Sequence, residues 1–403
     1  MTTTPPEALL PTTDPQESRG FPVRRDPRDA GSAGAAATFL SEVAGLGRFH
    51  KIGVVEDLAT GRTWCLQSDE GASLGGTNLA PAPLFQWLAG IQADVATRIV
   101  AAARRRGIAL DRLHVGVSQG FASQGSFAKG EAVAHVYGFD WDVDLAGASV
   151  DRATADALVD EALAASPAVA VMRDAVEGRF ALRTNGRRTP LDGALPEWDD
   201  ASLEDPVRRY ATIPAADPRP FEQVFRFVPG DAPPAGAQER IATHSSTDAS
   251  NSPVGFTVDA RGDVDLATGL LHTSTGLPEM SSDRWVITSD PSGQLAPSPL
   301  ALVAIGSAFC YHTQLSRYVN VRKLDLRNSG LAQLTTYEPG APDDLGTGAA
   351  HPIRTEMFLN GGEDEAATRS LLQVAANTCY VHRAMGVEVE MTSDVSLLSG
   401  AGR

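Results

Sequence analysis

The stretch Ala296–Arg322, APSPLALVAIGSAFCYHTQLSRYVNVR, predicts a long helix that begins after Pro-Ser-Pro and is apolar along most of its length. Proline is favoured in the first turn of a helix, because the N–H that it lacks would have no partner there. Cys310 lies near the middle of this helix. Because the helix is long and largely apolar, we expect it to be the central buried element of the fold.

A second stretch, Ala80–Arg106, repeats this pattern as APAPLFQWLAGIQADVATRIVAAARRR. When the two Pro-x-Pro sequences are aligned, Gly90 falls on Gly306 and Asp94 falls on Cys310. This repetition predicts that the chain contains two copies of one unit. One copy has a thiol at the centre of its main helix, and the other has a carboxylate.

The segments around the two long helices also follow one order: strands, long helix, strands, shorter helix, strand. The predicted strands are His50–Glu56, Thr63–Gln67, Leu113–Ser118, Val136–Leu145, Arg284–Thr288, Leu324–Tyr337, Thr355–Leu359 and Val387–Met391, with a hairpin at Phe256–Leu266 that turns at Arg261-Gly262. The predicted shorter helices are Val150–Ala165 and Ala366–Cys379. The fold class is therefore α+β. The helices cannot bury both faces against one small sheet, so we expect the two units to pair as an intrachain pseudo-dimer.

Composition divides the chain into four parts. Residues 1–46 are rich in Pro, Thr, Ala and Gly and are predicted to be a disordered tail. Residues 47–190 form the first unit, and residues 252–400 form the second. Between them, residues 191–251 are acidic and proline-rich, which is typical of a linker or a loosely packed excursion.

The bulk composition excludes several classes of function. A formal net charge of −16 argues against nucleic acid and anionic membranes as partners. Three cysteines in 403 residues do not make a secreted disulfide framework. The N-terminal sequence lacks the pattern of a signal peptide, and no apolar run reaches the roughly 18 residues that span a bilayer. We therefore expect a soluble cytoplasmic protein.

Two motifs resemble the OsmC/Ohr family of thiol-dependent peroxidases. The first is SDEGASLGGTNLAPAPL, followed by a long helix that ends in Arg-Arg-Gly-Ile. The second is Pro-x-Pro-Leu with Cys310 eleven residues after Pro299, completed by Cys379 near the end of the shorter helix. The resemblance covers most of residues 47–190 and 252–400.

This resemblance implies obligate two-fold pairing, with both thiol sites at the pairing interface. The chain is similar to a fused pair whose first copy has lost its thiols, with Asp94 at the first cysteine position and Ser166 at the second. A buried carboxylate at Asp94 would need a partner, and we expect a His or Arg from the other copy.

The resemblance also implies a reaction. Cys310 would attack a hydroperoxide as a thiolate, and Cys379 would resolve the sulfenic acid to a disulfide that a thiol reductant reopens. No cofactor and no metal are required. The family has a glutamate two residues after the proline that opens the helix, where this chain has Ala301 and, in the first copy, Phe85.

An arginine is expected to assist the thiolate. Arg48 is the nearest candidate, reaching across the internal interface, with Arg284 and Arg317 as the second and third. Each of them taken singly is more often a solvated surface cation.

Other side chains near the cysteines are candidates for lining the pocket. Thr313 and Gln314 share a helix face with Cys310. The imidazoles of His312 and His382 lie close in sequence to the two cysteines and leave open a metal site of two thiols and two imidazoles. Residues two apart do not share a helix face, so His312 cannot join Cys310 without distortion, and no metal site is predicted.

Two further residues are given structural roles. Ser118 matches a G-x-S-x-G pattern, but a loop follows it where a nucleophile elbow needs a helix. Cys65 lies within a predicted strand and is expected to be part of the core or sheet surface.

The sequence leaves several functions open. The first is reduction of an organic hydroperoxide by Cys310 and Cys379. The second is reuse of the fold for another Cys310-dependent biosynthetic reaction, or for binding an apolar small molecule. The third is a structural or partner-binding role through the acidic linker. Homo-oligomerisation beyond the pseudo-dimer is also left open.

Overall fold

The computed structural model of the chain describes residues 20–23, 36–71, 74–209, 223–240, 248–339 and 346–397. The strands are β1 Gly20–Pro22, β2 Ala37–Gly45, β3 Lys51–Asp57, β4 Thr63–Ser68, β5 Arg112–Ser126, β6 Val133–Ala146, β7 Arg179–Thr184, β8 Arg187–Thr189, β9 Phe225–Val228, β10 Asp248–Val264, β11 Leu271–Gly276, β12 Arg284–Ser289, β13 Leu326–Glu338, β14 Ala349–Ala350, β15 Arg354–Gly361 and β16 Met391–Ser396. The helices are α1 Pro83–Arg105, α2 Arg152–Ala165, α3 Pro167–Arg173, α4 Pro206–Arg209, α5 Pro299–Arg322, α6 Glu365–Thr378 and α7 Tyr380–Met385. The fold is α+β.

The strands form two sheets, and each sheet takes strands from both halves of the chain. The first has the order β1-β4-β3-β2-β13-β15-β7-β8, with β14 paired to β13. The second has the order β16-β6-β5-β10-β11-β12-β9. Neither sheet is therefore complete without both halves.

The pairing between halves follows the same pattern in both sheets. Strand β2 pairs antiparallel with β13, as β10 pairs with β5. Strand β15 pairs parallel with β7, as β6 pairs with β16. At the outer edges, β1 adds to β4 as β9 adds to β12. The strand pairings of the two sheets thus follow the same order, apart from β8 and β14, which occur in the first sheet alone among the described residues.

The long helices lie between the sheets and pack against each other. Helix α5 contacts β2, β3 and β13 of the first sheet, whereas α1 contacts β5, β10, β11 and β12 of the second. Both helices are largely buried, as expected for apolar sequences between two sheets. The layers therefore run sheet, α5, α1, sheet.

The helices cross where each has a glycine. A Cβ atom on Gly90 would lie 2.6 Å from the carbonyl oxygen of Pro299, and one on Gly306 would lie 2.6 Å from the backbone nitrogen of Trp87. Only a residue without a side chain permits this approach. The crossing of α1 and α5 is therefore a backbone-to-backbone contact.

Ordered structure is present in two segments that the sequence analysis assigns to a tail and a linker. Strands β1 and β2 fall within the predicted disordered residues 1–46, and β2 is largely buried at the centre of the first sheet. Strand β9 and helix α4 fall within residues 191–251. Buried Ser41 and Glu42 interrupt the apolar pattern of β2, which conceals it in the sequence. Residues 1–19, 24–35, 210–222 and 241–247 of these two segments lie outside the described residues.

Two strand predictions are wrong in their placement. The predicted hairpin turn at Arg261-Gly262 lies inside the continuous strand β10, which pairs on both sides. The turn follows at Asp265, whose carboxylate accepts hydrogen bonds from the backbone N–H groups of Ala267 and Thr268. The closing strand begins at Met391 rather than at Val387, because polar edge residues give it no alternating pattern. Among the described residues, no helix combines the length and the apolar composition needed to cross a membrane.

Candidate functional site

Cys310 and Cys379 are brought together by two different elements. Cys310 lies in the middle of α5, and Cys379 lies at the junction between α6 and α7, where its backbone is extended. Both side chains are buried, at 3% and 0% exposure. Burial, and after it the neighbouring Cys310 thiol, raises the pKa of Cys379. The pair is a dithiol within the core.

His382 contacts the Cys379 side chain of this pair. Its Nδ1 is 3.2 Å from the Sγ of Cys379, and its ring packs against the rings of Tyr311 and Phe180. Burial lowers the pKa of His382 to about 3, so the imidazole is neutral at physiological pH. It is a neutral partner of the Cys379 thiol and supplies no positive charge to it.

A narrow pocket reaches Cys310 from the surface. It has a volume of about 30 Å³, which is room for one or two water-sized groups. Its lining is mainly apolar and consists of Glu70, Leu74, Ala82, Pro83, Leu84, Phe85, Phe256, Val258, Leu277, Cys310, Gln314 and Tyr380. The side chains come from both halves of the chain, so the pocket is an internal interface.

A buried charged pair lies beside this pocket. The Oε1 atom of Glu70 accepts a hydrogen bond of 2.8 Å from the hydroxyl of Thr313, one turn along α5 from Cys310. The Nζ atom of Lys51 donates to the backbone oxygen of Phe49 at 2.8 Å. Burial raises the pKa of Glu70 and lowers that of Lys51, and each opposes the shift of the other through its charge.

The Lys51 charge also interacts with Cys310. A cation close to a thiol favours the thiolate over the neutral form. Lys51 is only 1% exposed, so little solvent screens this interaction. Lys51 is therefore a buried basic group whose charge interacts with both Glu70 and Cys310.

Arg317 is a second buried cation, two helical turns beyond Cys310. Its guanidinium lies 4.2 Å from the ring centre of Phe127, and its charge interacts with Glu70 and the hydroxyl of Tyr380. Burial lowers the pKa of Arg317. Of the three predicted arginines, this one lies nearest to the residues around the pocket.

The other two arginines lie elsewhere. Arg48 is exposed, with its guanidinium near Gly75 and 5.3 Å from the ring centre of Phe49. Arg284 forms an ion pair of 2.6 Å with Asp259 and also donates to Ser274 within the second sheet. Neither side chain lines the pocket at Cys310.

The remaining predicted pocket residues divide between the two faces of α5. Gln314 lines the pocket, and its buried Oε1 has no hydrogen-bond partner. His312 points away, toward Ser316 and Ser329, with its Nε2 3.1 Å from the Ser329 hydroxyl. Burial lowers the pKa of His312 to about 4. In the part of the chain that the structure describes, no cluster of three or more His, Cys, Asp or Glu residues could hold a metal ion.

The position equivalent to Cys310 in the first half is occupied by a closed polar group. Asp94 makes a bidentate contact of 3.0 Å with Arg98, and its Oδ2 accepts a hydrogen bond of 2.6 Å from Ser166. The predicted partner from the other copy is therefore wrong, because Arg98 lies one turn along the same helix. Asp94 and Ser166 meet each other as Cys310 and Cys379 do.

Sequence reasoning missed Lys51 and Glu70. Glu70 lies in the SDEGASLGG motif, and Lys51 begins a strand, so both could have been noticed as charges next to apolar strands. The first turn of α1, which includes Phe85, lines the pocket at Cys310. Ala301, in the first turn of α5, lines a different cavity. The carboxylate beside the pocket therefore comes from the loop before α1.

No family model matches the chain, and no curated protein matches it. Among solved structures, the chain is similar to the crystal structure of an OsmC-like hydroperoxide resistance protein from Jannaschia sp. CCS1. The sequences are 23% identical, and the match covers 33% of this chain and 83% of that chain, with a TM-score of 0.19. This likeness is too weak to assign a fold or a function.

Proposed function

We propose that the chain is a thiol-dependent redox enzyme that reduces an organic hydroperoxide with Cys310 as nucleophile and Cys379 as resolving thiol. The observation that carries the proposal is that Cys310 lines an apolar pocket and is at the same time a neighbour of the buried Cys379 thiol. Lone buried cysteines are usually inert, whereas a thiol next to a cation and a second thiol is suited to redox chemistry.

The reaction balances as a two-electron cycle. The Cys310 thiolate attacks one oxygen of the hydroperoxide, the O–O bond breaks, and the departing alkoxide takes a proton to leave as an alcohol. The resulting sulfenic acid is then attacked by the Cys379 thiol, which forms the disulfide and releases water. A thiol reductant restores both thiols and is itself oxidised to a disulfide.

The pocket favours a substrate with a small reactive end. About 30 Å³ accommodates a peroxide group next to Cys310 but not a bulky chain. The apolar residues toward the mouth, such as Leu84, Phe256 and Leu277, would contact the organic part of the substrate. This arrangement suits an alkyl or aryl hydroperoxide better than a charged substrate.

We further propose that the two halves are OsmC-like units joined as an intrachain pseudo-dimer. The matched strand order of the two sheets supports this arrangement. In it, Cys310 is the peroxidatic thiol of the second unit, and the first unit keeps only Asp94 and Ser166 in the corresponding places.

The test follows disulfide formation and peroxide consumption in three variants. Cumene hydroperoxide should remove two hydrogens in mass from the peptides that carry Cys310 and Cys379. Cys310→Ser should abolish peroxide consumption. Cys379→Ser should leave one turnover and accumulate a sulfenic acid that dimedone traps. Cys65→Ser, in strand β4, is the matched control and should behave as the unmodified chain.

Two outcomes would separate this reaction from another Cys310-dependent one. Peroxide consumption that persists in Cys310→Ser rules out the proposed cycle. Full multiple-turnover activity in Cys379→Ser would leave Cys310 as a nucleophile without a resolving thiol. That result would favour the alternative in which the fold serves a different Cys310 reaction.

The role of Lys51 gives a separate prediction. Lys51→Met removes a buried basic group whose charge interacts with Cys310, so peroxide consumption at pH 7 should slow by about ten-fold. Arg48→Met removes an exposed cation nearby and serves as the control. If peroxide consumption is impaired in Arg48→Met and not in Lys51→Met, then Arg48 and not Lys51 is the basic group that assists Cys310.

A further inference from the structure

A second cavity lies at Asp94, in the position that corresponds to the thiol pocket. Its volume is about 310 Å³, against about 30 Å³ at Cys310. This volume falls at the lower end of the range for small-molecule sites. The lining consists of Ala37, Phe39, Val55, Asp57, Thr60, Arg62, Trp64, Asp94, Thr97, Arg98, Pro291, Ser292, Gly293, Ser298, Pro299, Leu300 and Ala301.

The difference in volume has a cause in the side chains. The alignment that places Asp94 on Cys310 also places Ala301 on Phe85. Phe85 lines the pocket at Cys310, and Ala301 lines the cavity at Asp94. The strand registers likewise place Ala37 where the thiol pocket has Phe256, and Phe39 where it has Val258, so these two exchanges offset each other. The exchange of Phe85 for Ala301 has no such offset, and it leaves the second cavity wider.

Asp94, a polar residue in the lining of this cavity, already has hydrogen-bond partners for both of its carboxylate oxygens. Arg98 and Ser166 occupy both carboxylate oxygens of Asp94. The Ser166 oxygen also accepts a hydrogen bond from the backbone N–H of Val169. Ser166 is therefore held as a structural group, and no thiol lines the cavity. The lining at Asp94 and Ser166 is therefore suited to binding a ligand and not to nucleophilic chemistry.

The guanidinium of Arg62 is a polar group of this cavity that is available to a ligand. It lines the cavity, and its guanidinium forms no hydrogen bond or ion pair with the described residues. The nearby carboxylate of Asp57 is already occupied by Ala59 and Thr60 in a turn. A free guanidinium matches a carboxylate in shape, because two parallel N–H groups meet two oxygens.

We propose that this cavity binds a small organic carboxylate with an apolar body. Arg62 pairs with the carboxylate, and the rings of Phe39 and Trp64 together with Leu300 contact the apolar body. The proposal does not depend on the redox reaction at Cys310. It gives the first half of the chain a binding site where the second half has a thiol site.

The test is isothermal titration calorimetry of the full chain with octanoate, and with 1-octanol as the uncharged comparison. Octanoate should bind with one site per chain and more tightly than octanol. Arg62→Met should weaken octanoate binding at least about ten-fold, since a charge-assisted pair is lost, and should leave octanol binding unchanged. Arg187→Met removes an exposed arginine on β8 and should change neither.

Ala301→Phe gives an independent variant that copies the side chain of the thiol pocket. It should abolish octanoate binding by filling the cavity, with a thermal unfolding transition kept as evidence of folding. The proposal is overturned if octanoate does not bind, or if its affinity is unchanged in both Arg62→Met and folded Ala301→Phe. It is equally overturned if Arg187→Met weakens binding as much as Arg62→Met does.

Discussion

Three side chains that can carry charge, Lys51, Glu70 and Arg317, are buried around Cys310. Removing a charge from water costs several kcal/mol, so such groups remain only where partners compensate them. Here Thr313 donates to Glu70, and the charges of Lys51 and Arg317 act on the same carboxylate. The charges of Lys51 and Arg317 therefore offset part of the cost of burying Glu70 beside the pocket.

The buried neutral state of His382 predicts a pH dependence of stability. Its pKa is about 3 in the folded chain and about 6.5 when unfolded, so its contribution is complete above pH 6.5. As the pH falls toward 3, the unfolded state gains a proton that the folded state does not bind, and stability is lost. Between pH 7 and pH 5 this loss is about 2 kcal/mol.

His382→Phe should remove that part of the pH dependence. Denaturant unfolding at pH 7 and pH 5 measures it as a smaller fall in unfolding free energy for the variant. His351→Phe, at an exposed position, should leave the fall unchanged. An identical fall in His382→Phe and the unmodified chain would contradict a neutral buried imidazole.

At this scale the sequence predicts the two thiols but not their electrostatic partners. Cys310 and Cys379 can be identified from their spacing in the sequence, which requires no knowledge of the fold. Lys51 lies on β3 and Glu70 in a loop, and only the packing of α5 against the first sheet brings them to Cys310. Arg48, three residues before Lys51, is exposed. Proximity in sequence could not distinguish between these two cations.

The crossing of α1 and α5 is a close contact between helices of the two halves. Helices usually approach to 8–10 Å between axes, limited by the side chains at the contact. Glycine at Gly90 and Gly306 removes that limit from both sides. Each helix therefore fixes the position of the other, and both pockets include residues from the beginning of one of these helices.

Gly306→Ala should destabilise the chain, although alanine is the better helix former. The added Cβ would meet the backbone of Trp87, so the helices must separate. We expect a net loss of about 2 kcal/mol in unfolding free energy, since overpacking outweighs the roughly 1 kcal/mol that alanine gains over glycine. Denaturant unfolding measures this loss.

The matched control is Asn320→Ala, an exposed position on the same helix. It should be neutral or slightly stabilising, because only helix propensity changes there. If Gly306→Ala proved as stable as Asn320→Ala, the backbone contact at the crossing would not hold in solution.

The long helices could be predicted because their apolar pattern is local and begins at a proline. Strand β2 could not, because a central strand buried on both faces lacks alternation. The Arg261-Gly262 pair misled the prediction for a different reason, because its residues are typical of a turn although they lie in the middle of β10. Its neighbours in the sheet, not its own residues, keep it extended.

At the scale of the molecule, the order of strands ties the halves together. Four strand pairings join residues before 210 to residues after 247, two in each sheet. A chain cut between Arg209 and Gln223 would leave each fragment with unpaired central strand edges. Such edges expose backbone groups and promote aggregation.

We therefore expect fragments 1–209 and 223–403 to remain unfolded when expressed alone and to fold when co-expressed. Circular dichroism and size-exclusion chromatography distinguish the two cases. The co-expressed pair should elute with both fragments in one peak. A cooperative unfolding transition in either fragment by itself would show that the halves are independent domains.

The glycine crossing and the shared sheets have a consequence for how the two sites can change. In a symmetric homodimer each substitution occurs at both sites, so the sites must stay alike. In a single polypeptide, Phe85 and Ala301 are separate codons, and one pocket can widen while the other stays narrow. Because one polypeptide forms both pockets, these two positions can diverge under different selection.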